Sequence, residues 1–166
     1  MNAELLYERL LENLRKRAQL GSYELAGLAM GGAWIAERLA KDLGLPHYGV
    51  INVAFHRDDY AEKGMTALRT ASTMSTHLPF DVKGAHVILI DDDLLTGRTV
   101  RAALNELFDF GRPARVELMV LADRSKRELP VSADFVAEQI HAPDHQILVL
   151  EKDLTGKFSF QLEERV

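Results

Sequence analysis

Three consecutive carboxylates, Asp91, Asp92 and Asp93, follow the apolar run V-I-L-I and precede the turn T-G-R-T at 96–99. Adjacent acids repel one another, so folding gains nothing obvious from the triplet. Chemistry does gain from it. A carboxylate accepts hydrogen bonds, and neighbouring carboxylates suit the adjacent hydroxyls of a sugar. The same oxygens suit Mg²⁺, directly or through water. The turn supplies the complement. Gly97 lets the backbone curl close to an anion, Thr96 and Thr99 add hydroxyls, and Arg98 adds charge. A helix beginning here would offer unpaired N–H groups and the positive end of its dipole. Hydroxyl acceptors beside a phosphate cradle point to a sugar phosphate.

Two better-known phosphate motifs are absent. The chain contains neither G-x-x-x-x-G-K-[ST] nor the dinucleotide G-x-G-x-x-G. The bland reading is a solvated strand end with Thr99 as a helix cap. A buried strand, three acids, a short turn and a well-formed helix in succession weigh against it.

The elements around the motif must position it. Leu6, Leu10 and Leu14 recur every four residues, which predicts a helix over 2–20, ended by Gly21 and Ser22. Residues 23–29 read as a buried strand, Gly31 and Gly32 as a turn, and Ile35, Leu39 and Leu43 as one face of a helix stopping at Gly44. A β-branched strand is expected over 48–56. Residues 57–80 carry no period, and so long a segment reads as a functional lid or a concealed hairpin. A third strand is expected over 85–91. The helix from Thr99 has an apolar stripe at Val100, Ala103, Leu104, Leu107 and Phe108. A fourth strand is expected over 114–123, shorter ones near 134–137 and 146–150, and an edge strand in the tail K-F-S-F-Q-L. Strands alternating with helices indicate an α/β fold: a mostly parallel twisted sheet flanked by helices. Ligands on such sheets lie at the carboxyl ends of the strands. That places three segments together: 29–32, 91–99 and 123–127.

Composition bounds the rest. The 166 residues fit a single domain, 1–166, with a real core. A net charge of −5 argues against a surface wholly given to nucleic acid, though a local basic face is compatible with it. No cysteine is present, which excludes disulfides, thiolate zinc sites and cysteine nucleophiles. No apolar run approaches the roughly 20 residues of a membrane span, and the N-terminus lacks the pattern of a signal peptide. A cytoplasmic location with no membrane partner is the expectation. The histidines show no metal-ligand spacing, and Trp34 reads as core or dimer packing.

The motif V-I-L-I-D-D-D-L-L-T-G-R-T resembles the phosphoribosyl pyrophosphate (PRPP) motif of type I phosphoribosyltransferases. More closely, the chain resembles the PyrR family, the pyrimidine operon attenuators that also act as uracil phosphoribosyltransferases. F-H-R-D-D-Y (55–60), T-G-R-T-V-R-A-A-L (96–104), F-G-R-P (110–113), D-R-S-K-R-E-L-P (123–130) and V-S-A-D-F-V (131–136) fall in the family's order. The resemblance implies the type I phosphoribosyltransferase fold with a flexible lid, and conversion of uracil and PRPP to UMP and pyrophosphate with Mg²⁺. It implies that Asp91 and Asp92 are the catalytic acids, holding ribose hydroxyls and, through water, the metal. Leu95, Thr96, Gly97, Arg98 and Thr99 would bind the 5′-phosphate, and Met30, Gly31 and Gly32 the pyrophosphate. Arg57, Asp58 and Asp59 would begin the lid, and Asp123 and Arg124 would shape the base pocket. A homodimer or larger homo-oligomer is implied, with messenger RNA as a further partner. Arg15, Lys16, Arg17, Arg112, Arg115, Lys126 and Arg127 are the candidates for a basic RNA face, although as charge runs they read first as ordinary solvated faces.

Three positions, in two segments, depart from the family pattern. Ala29 and Met30 stand where a longer polar or basic side chain and a threonine are usual, leaving only backbone donors for pyrophosphate. Asp93 stands where an apolar residue is usual, either tuning the metal or weakening PRPP binding. Two further readings therefore stay open: a catalytically impaired regulator that binds PRPP or UMP, and a phosphoribosyltransferase for another base. Residues 123–127 should discriminate the latter.

Overall fold

The computed structural model describes residues 1–53 and 75–165. Helix α1 (Ala3–Arg17) buries Leu6, Leu10 and Leu14, as their spacing requires, and passes into a 3₁₀ turn over Ala18–Leu20. Strand β1 (Glu24–Leu28) leads into α2 (Gly31–Leu43) and then β2 (Gly49–Ile51). Strand β3 (His86–Leu94) is followed by α3 (Arg98–Asp109), β4 (Arg115–Asp123) and β5 (Phe135–Gln139). The chain closes with β6 (Gln146–Lys152) and β7 (Phe158–Glu164).

Among the described residues, five strands form one sheet in the order β2-β1-β3-β4-β5, every neighbouring pair parallel. Side chains alternate across a strand, so a sheet covered on both faces reads as a continuous apolar run. Ile88, Ile90, Met119 and Leu121 face one core with α1 and α2. Val87, Leu89, Leu118 and Val120 face the other with α3. The sheet grows outward in opposite directions from the adjacent strands β1 and β3. Their carboxyl ends therefore form the crevice where ligands settle in such sheets.

Five expectations need correction. Strand β3 continues through all three aspartates to Leu94, because Asp93 and Leu94 still pair with Ala122 and Asp123 of β4. Within the described residues the strand expected over 48–56 spans only Gly49–Ile51. Of the segment assigned to a lid, residues 75–80 belong to the sheet margin: His77 and Val50 form an antiparallel bridge with both N···O distances 2.8 Å. The tail does not extend the main sheet. It folds back on β6 as a separate antiparallel pair, because Asp153 accepts the N–H groups of Thr155 and Lys157 in a tight turn. Phe158 is thereby buried edge-on against Tyr7 of α1. On α3, Phe108 lies outside the buried stripe and is exposed. Among the described residues no helix is long and apolar enough to cross a membrane.

One polar group breaks the apolar run of β4. The Glu117 side chain is 1% exposed and accepts from Arg17 and His86, with Arg115 Nη2 3.3 Å away. Burial pushes its carboxyl pKa up, but Arg17, Arg115 and His86 outweigh this and hold it below its ordinary 4.5. A depressed folded-state pKa contributes stability above the unfolded value and loses it as pH falls through the folded one. Glu117→Gln is therefore expected to cost about 2 kcal/mol at neutral pH, since the cations left behind reach water. Thermal melts between pH 7 and pH 3 check this. The variant's melting temperature should start lower and fall less steeply below the ordinary carboxyl pKa of 4.5.

Candidate functional site

The pleat of β3 divides the acids between the two faces of the sheet. Asp91 and Asp93 share the side of Val87 and Leu89, towards α3; Asp92 shares that of Ile88 and Ile90, towards α2. Asp91 and Asp92 are buried at 4% and 8% exposure, and the Asp92 N–H donates to Asp91 Oδ1 at 2.9 Å.

Helix α2 starts directly against this strand end. A Cβ at Gly31 would lie 2.8 Å from Asp92 Cγ, and one at Gly32 would lie 2.2 Å from the Ile90 carbonyl oxygen. At Gly32, where the obstacle is backbone, only glycine allows that approach, and the pair brings the first turn of α2 beside the acids. The first intrahelical bond here is from the Trp34 N–H to the Met30 carbonyl, at 3.1 Å. The amides of Gly31, Gly32 and Ala33 thus have no acceptor within the helix. The Ala29–Met30 peptide is cis.

The second anion cradle is the T-G-R-T turn. Gly97 caps α3 with φ +94°, a left-handed conformation that favours glycine. The Arg98 N–H donates to Thr96 Oγ1 at 3.2 Å, and the Arg101 N–H to the Gly97 carbonyl at 3.0 Å. Thr99 is buried in the first turn. The Arg98 guanidinium leaves the turn and meets Glu128 Oε1 at 3.1 and 3.2 Å, both side chains being more than half exposed.

Residues 124–131 strap this turn to the strand ends. The amides of Glu128 and Leu129 donate to the Thr96 carbonyl, and that of Arg124 to Leu94. Arg127 fastens the strap. It donates to the carbonyls of Leu95 and Val131, both at 2.8 Å, and to Asp123 Oδ2 at 2.6 Å. Burial raises the Asp123 carboxyl pKa, but Arg127 and the Ser125 N–H outweigh burial and hold it below the usual carboxylate range. The sequence alone reads Arg127 as part of a solvated or RNA-facing basic run and does not reveal this clasp. The four-residue interval from Asp123 to Arg127 was the available signal.

Arg124 is held as well. Its Nε donates to Asp93 Oδ1 at 3.1 Å and its Nη2 to Asp93 Oδ2 at 2.6 Å, with the side chains 8% and 11% exposed. The extra acid of the triplet is thus the partner of an arginine 31 residues away. Leu95, Thr96, Gly97, Arg98 and Thr99 lie together with Asp91, Asp92, Met30, Gly31 and Gly32 at one end of the sheet, and Asp123 and Arg124 lie beside them. Arg57, Asp58 and Asp59 lie outside the described residues.

The basic residues expected on one face are largely engaged. Arg17 and Arg115 meet Glu117, Arg127 meets Asp123, and Lys126 pairs with Asp144. Among the described residues no three acidic or histidine side chains gather into a metal cage. Asp91 and Asp92 nonetheless fit Mg²⁺, which keeps several waters and is commonly held by one or two carboxylates plus substrate phosphates.

Known proteins align with this arrangement. Residues 1–148 match the family model described as the phosphoribosyl transferase domain. The Bifunctional protein PyrR of Ralstonia nicotianae is 48% identical over 171 residues, covering 99% of this chain and 96% of the relative. The Bifunctional protein PyrR of Nitrosococcus oceani is 41% identical over 160 residues, covering 92% and 88%. Among solved structures, the purine phosphoribosyltransferase from Pyrococcus horikoshii Ot3 superposes with a TM-score of 0.59 at 24% identity, covering 81% of this chain and 80% of that one. At that identity the likeness is one of fold.

Proposed function

The chain belongs to the phosphoribosyl transferase domain family and, within it, to the PyrR proteins, and on that premise we propose that it converts uracil and PRPP to UMP and pyrophosphate. Phosphoribosyl transfer follows from the family; the base and the residue roles are the proposal. The observation that carries it is the meeting of two helix N-termini, those of α2 and α3, on one pair of buried carboxylates.

Asp91 and Asp92 accept from the ribose hydroxyls and fix the sugar over the end of β3. The amides of the 96–99 turn, with Thr96 and Thr99, bind the 5′-phosphate. The free amides at the start of α2 bind pyrophosphate. During transfer the bond from C1 to the pyrophosphate oxygen breaks, its electron pair leaving with pyrophosphate. The new bond joins C1 to N1 of uracil, and the N1 proton passes to solvent. Positive charge develops on the ribose and negative charge on the leaving group. The carboxylates favour the first and the α2 amides the second, so positioning and electrostatics do most of the work. Mg²⁺ held through Asp91 and Asp92 would supply further neutralisation of the pyrophosphate. With Ala29 and Met30 in the loop, backbone rather than side-chain donors serve the leaving group.

Regulation of pyrimidine messenger RNA belongs to the same reading, in keeping with the word bifunctional in the relatives' name; a single domain over 1–166, a homo-oligomer and a cytoplasmic location are proposed with it. The test is UMP formation by the purified protein from uracil, PRPP and Mg²⁺. Uracil-dependent turnover is expected. Its absence, with PRPP still bound, would replace this reading with a silent regulator. Turnover only with a different base would replace uracil alone.

A further inference from the structure

We infer that Asp93 is a positioning residue for the base: it locks the Arg124 guanidinium so that its remaining N–H groups donate to a carbonyl oxygen of the pyrimidine. The inference rests on the site assigned above and deepens it.

A carboxylate that takes Nε and Nη2 together fixes the plane of a guanidinium as well as its place. Two of the five N–H groups are used in this way, leaving three. No described residue accepts from Nη1. Yet among the described residues the only fully buried side-chain polar atom without a partner is Asn13 Oδ1. Nη1 therefore reaches the accessible surface, although the Arg124 side chain as a whole is 8% exposed. A buried arginine with one fixed edge and one accessible edge is a directional donor.

Its place in the sheet says what it meets. Displacement at C1 sets the incoming base and the outgoing pyrophosphate on opposite sides of the ribose. The ribose lies over β3, and the pyrophosphate amides follow β1, the neighbour on one side. The base then lies over β4, the neighbour on the other side, whose carboxyl end carries Arg124. Carbonyl oxygens are acceptors, matching a fixed donor.

Stability gives no rival explanation. A nearly buried ion pair is often no more stable than an apolar pair of similar volume. Its neighbours on that side of β3, Val87 and Leu89, show that the strand packs well with apolar residues. What the pair adds is orientation.

The test compares UMP with ribose 5-phosphate, which lacks the base, by calorimetry on three proteins: wild type, Asp93→Asn, and the double variant Asp93→Val with Arg124→Met. The wild type should bind UMP more tightly than ribose 5-phosphate. Both variants should bind UMP about tenfold or more weakly, while ribose 5-phosphate changes by less than about twofold. In turnover, the KM for uracil should rise and that for PRPP hold. The double variant leaves no buried charge, so it tests the idea even if Asp93→Asn unfolds. UMP affinity at the wild-type level in the folded double variant would overturn the inference. So would equal weakening of both ligands in the variants, or no preference for UMP in the wild type. If the wild type bound neither ligand, the site assignment itself would fail, a result distinct from these.

Discussion

Exchange of both Asp91 and Asp92 for asparagine is expected to lower kcat/KM by about 10³ or more, the scale set by losing one well-aimed electrostatic contact. The geometry separates this effect from unfolding. Asparagine has the shape of aspartate, and its Oδ1 can still accept the Asp92 N–H bond that Asp91 Oδ1 accepts at 2.9 Å. The exchange keeps the size of both side chains and an acceptor oxygen on each, so the packing of the strand end is preserved. What disappears is two negative charges, 4% and 8% exposed, beside a sugar that becomes cationic. Charges so shielded from water act at closer to full strength than surface ones. The melting temperature should therefore change little while PRPP binding and turnover collapse. Steady-state UMP formation, PRPP calorimetry and a thermal melt on the same preparation check this. Activity within tenfold of wild type would show that the acids serve only the strand end.

Gly32→Ala is the second large effect. The new Cβ would stand 2.2 Å from the Ile90 carbonyl oxygen and 3.1 Å from Asp91 Cα. Ordinary carbon–oxygen contacts begin at about 3.3 Å, so α2 and β3 would have to separate by about 1 Å. The obstacle is backbone of the central strand, paired on both sides, and it cannot rotate away. The substitution should cost about 3 kcal/mol. It should also reduce kcat/KM by about 100-fold, because a 1 Å displacement of the positioning groups has that scale of effect. Gly31→Ala is the control. Its Cβ meets the Asp92 side chain at 2.8 Å, which can turn. It should leave stability closer to wild type while still disturbing the acid. Urea unfolding and kinetics on both variants check the order; equal stability of the two would contradict this account of the junction.

Some of this was legible in the residues alone. Alternation of apolar runs with four-residue stripes is a local property, and it determined the strands and helices and the α/β class. The run of acids before T-G-R-T is also local, and it determined which end of which strand carries the chemistry. Gly31 and Gly32 could be read as a turn, but not as the contact that presses α2 onto β3. That contact depends on where Ile90 lies when β1 and β3 pair, and pairing joins residues about sixty positions apart. The tail alternated as a strand should, yet alternation does not say which strand will accept it, and the Asp153 turn delivered it to β6. Asp93 shows the limit most clearly. Its type and position are plain in the sequence, but the sequence leaves its role open between metal tuning and repulsion. The parallel register that sets Asp93 opposite Ala122 brings Arg124 within reach. Only tertiary structure decides that, because a pair 31 residues apart exists only once the helix between its strands has folded back across the sheet.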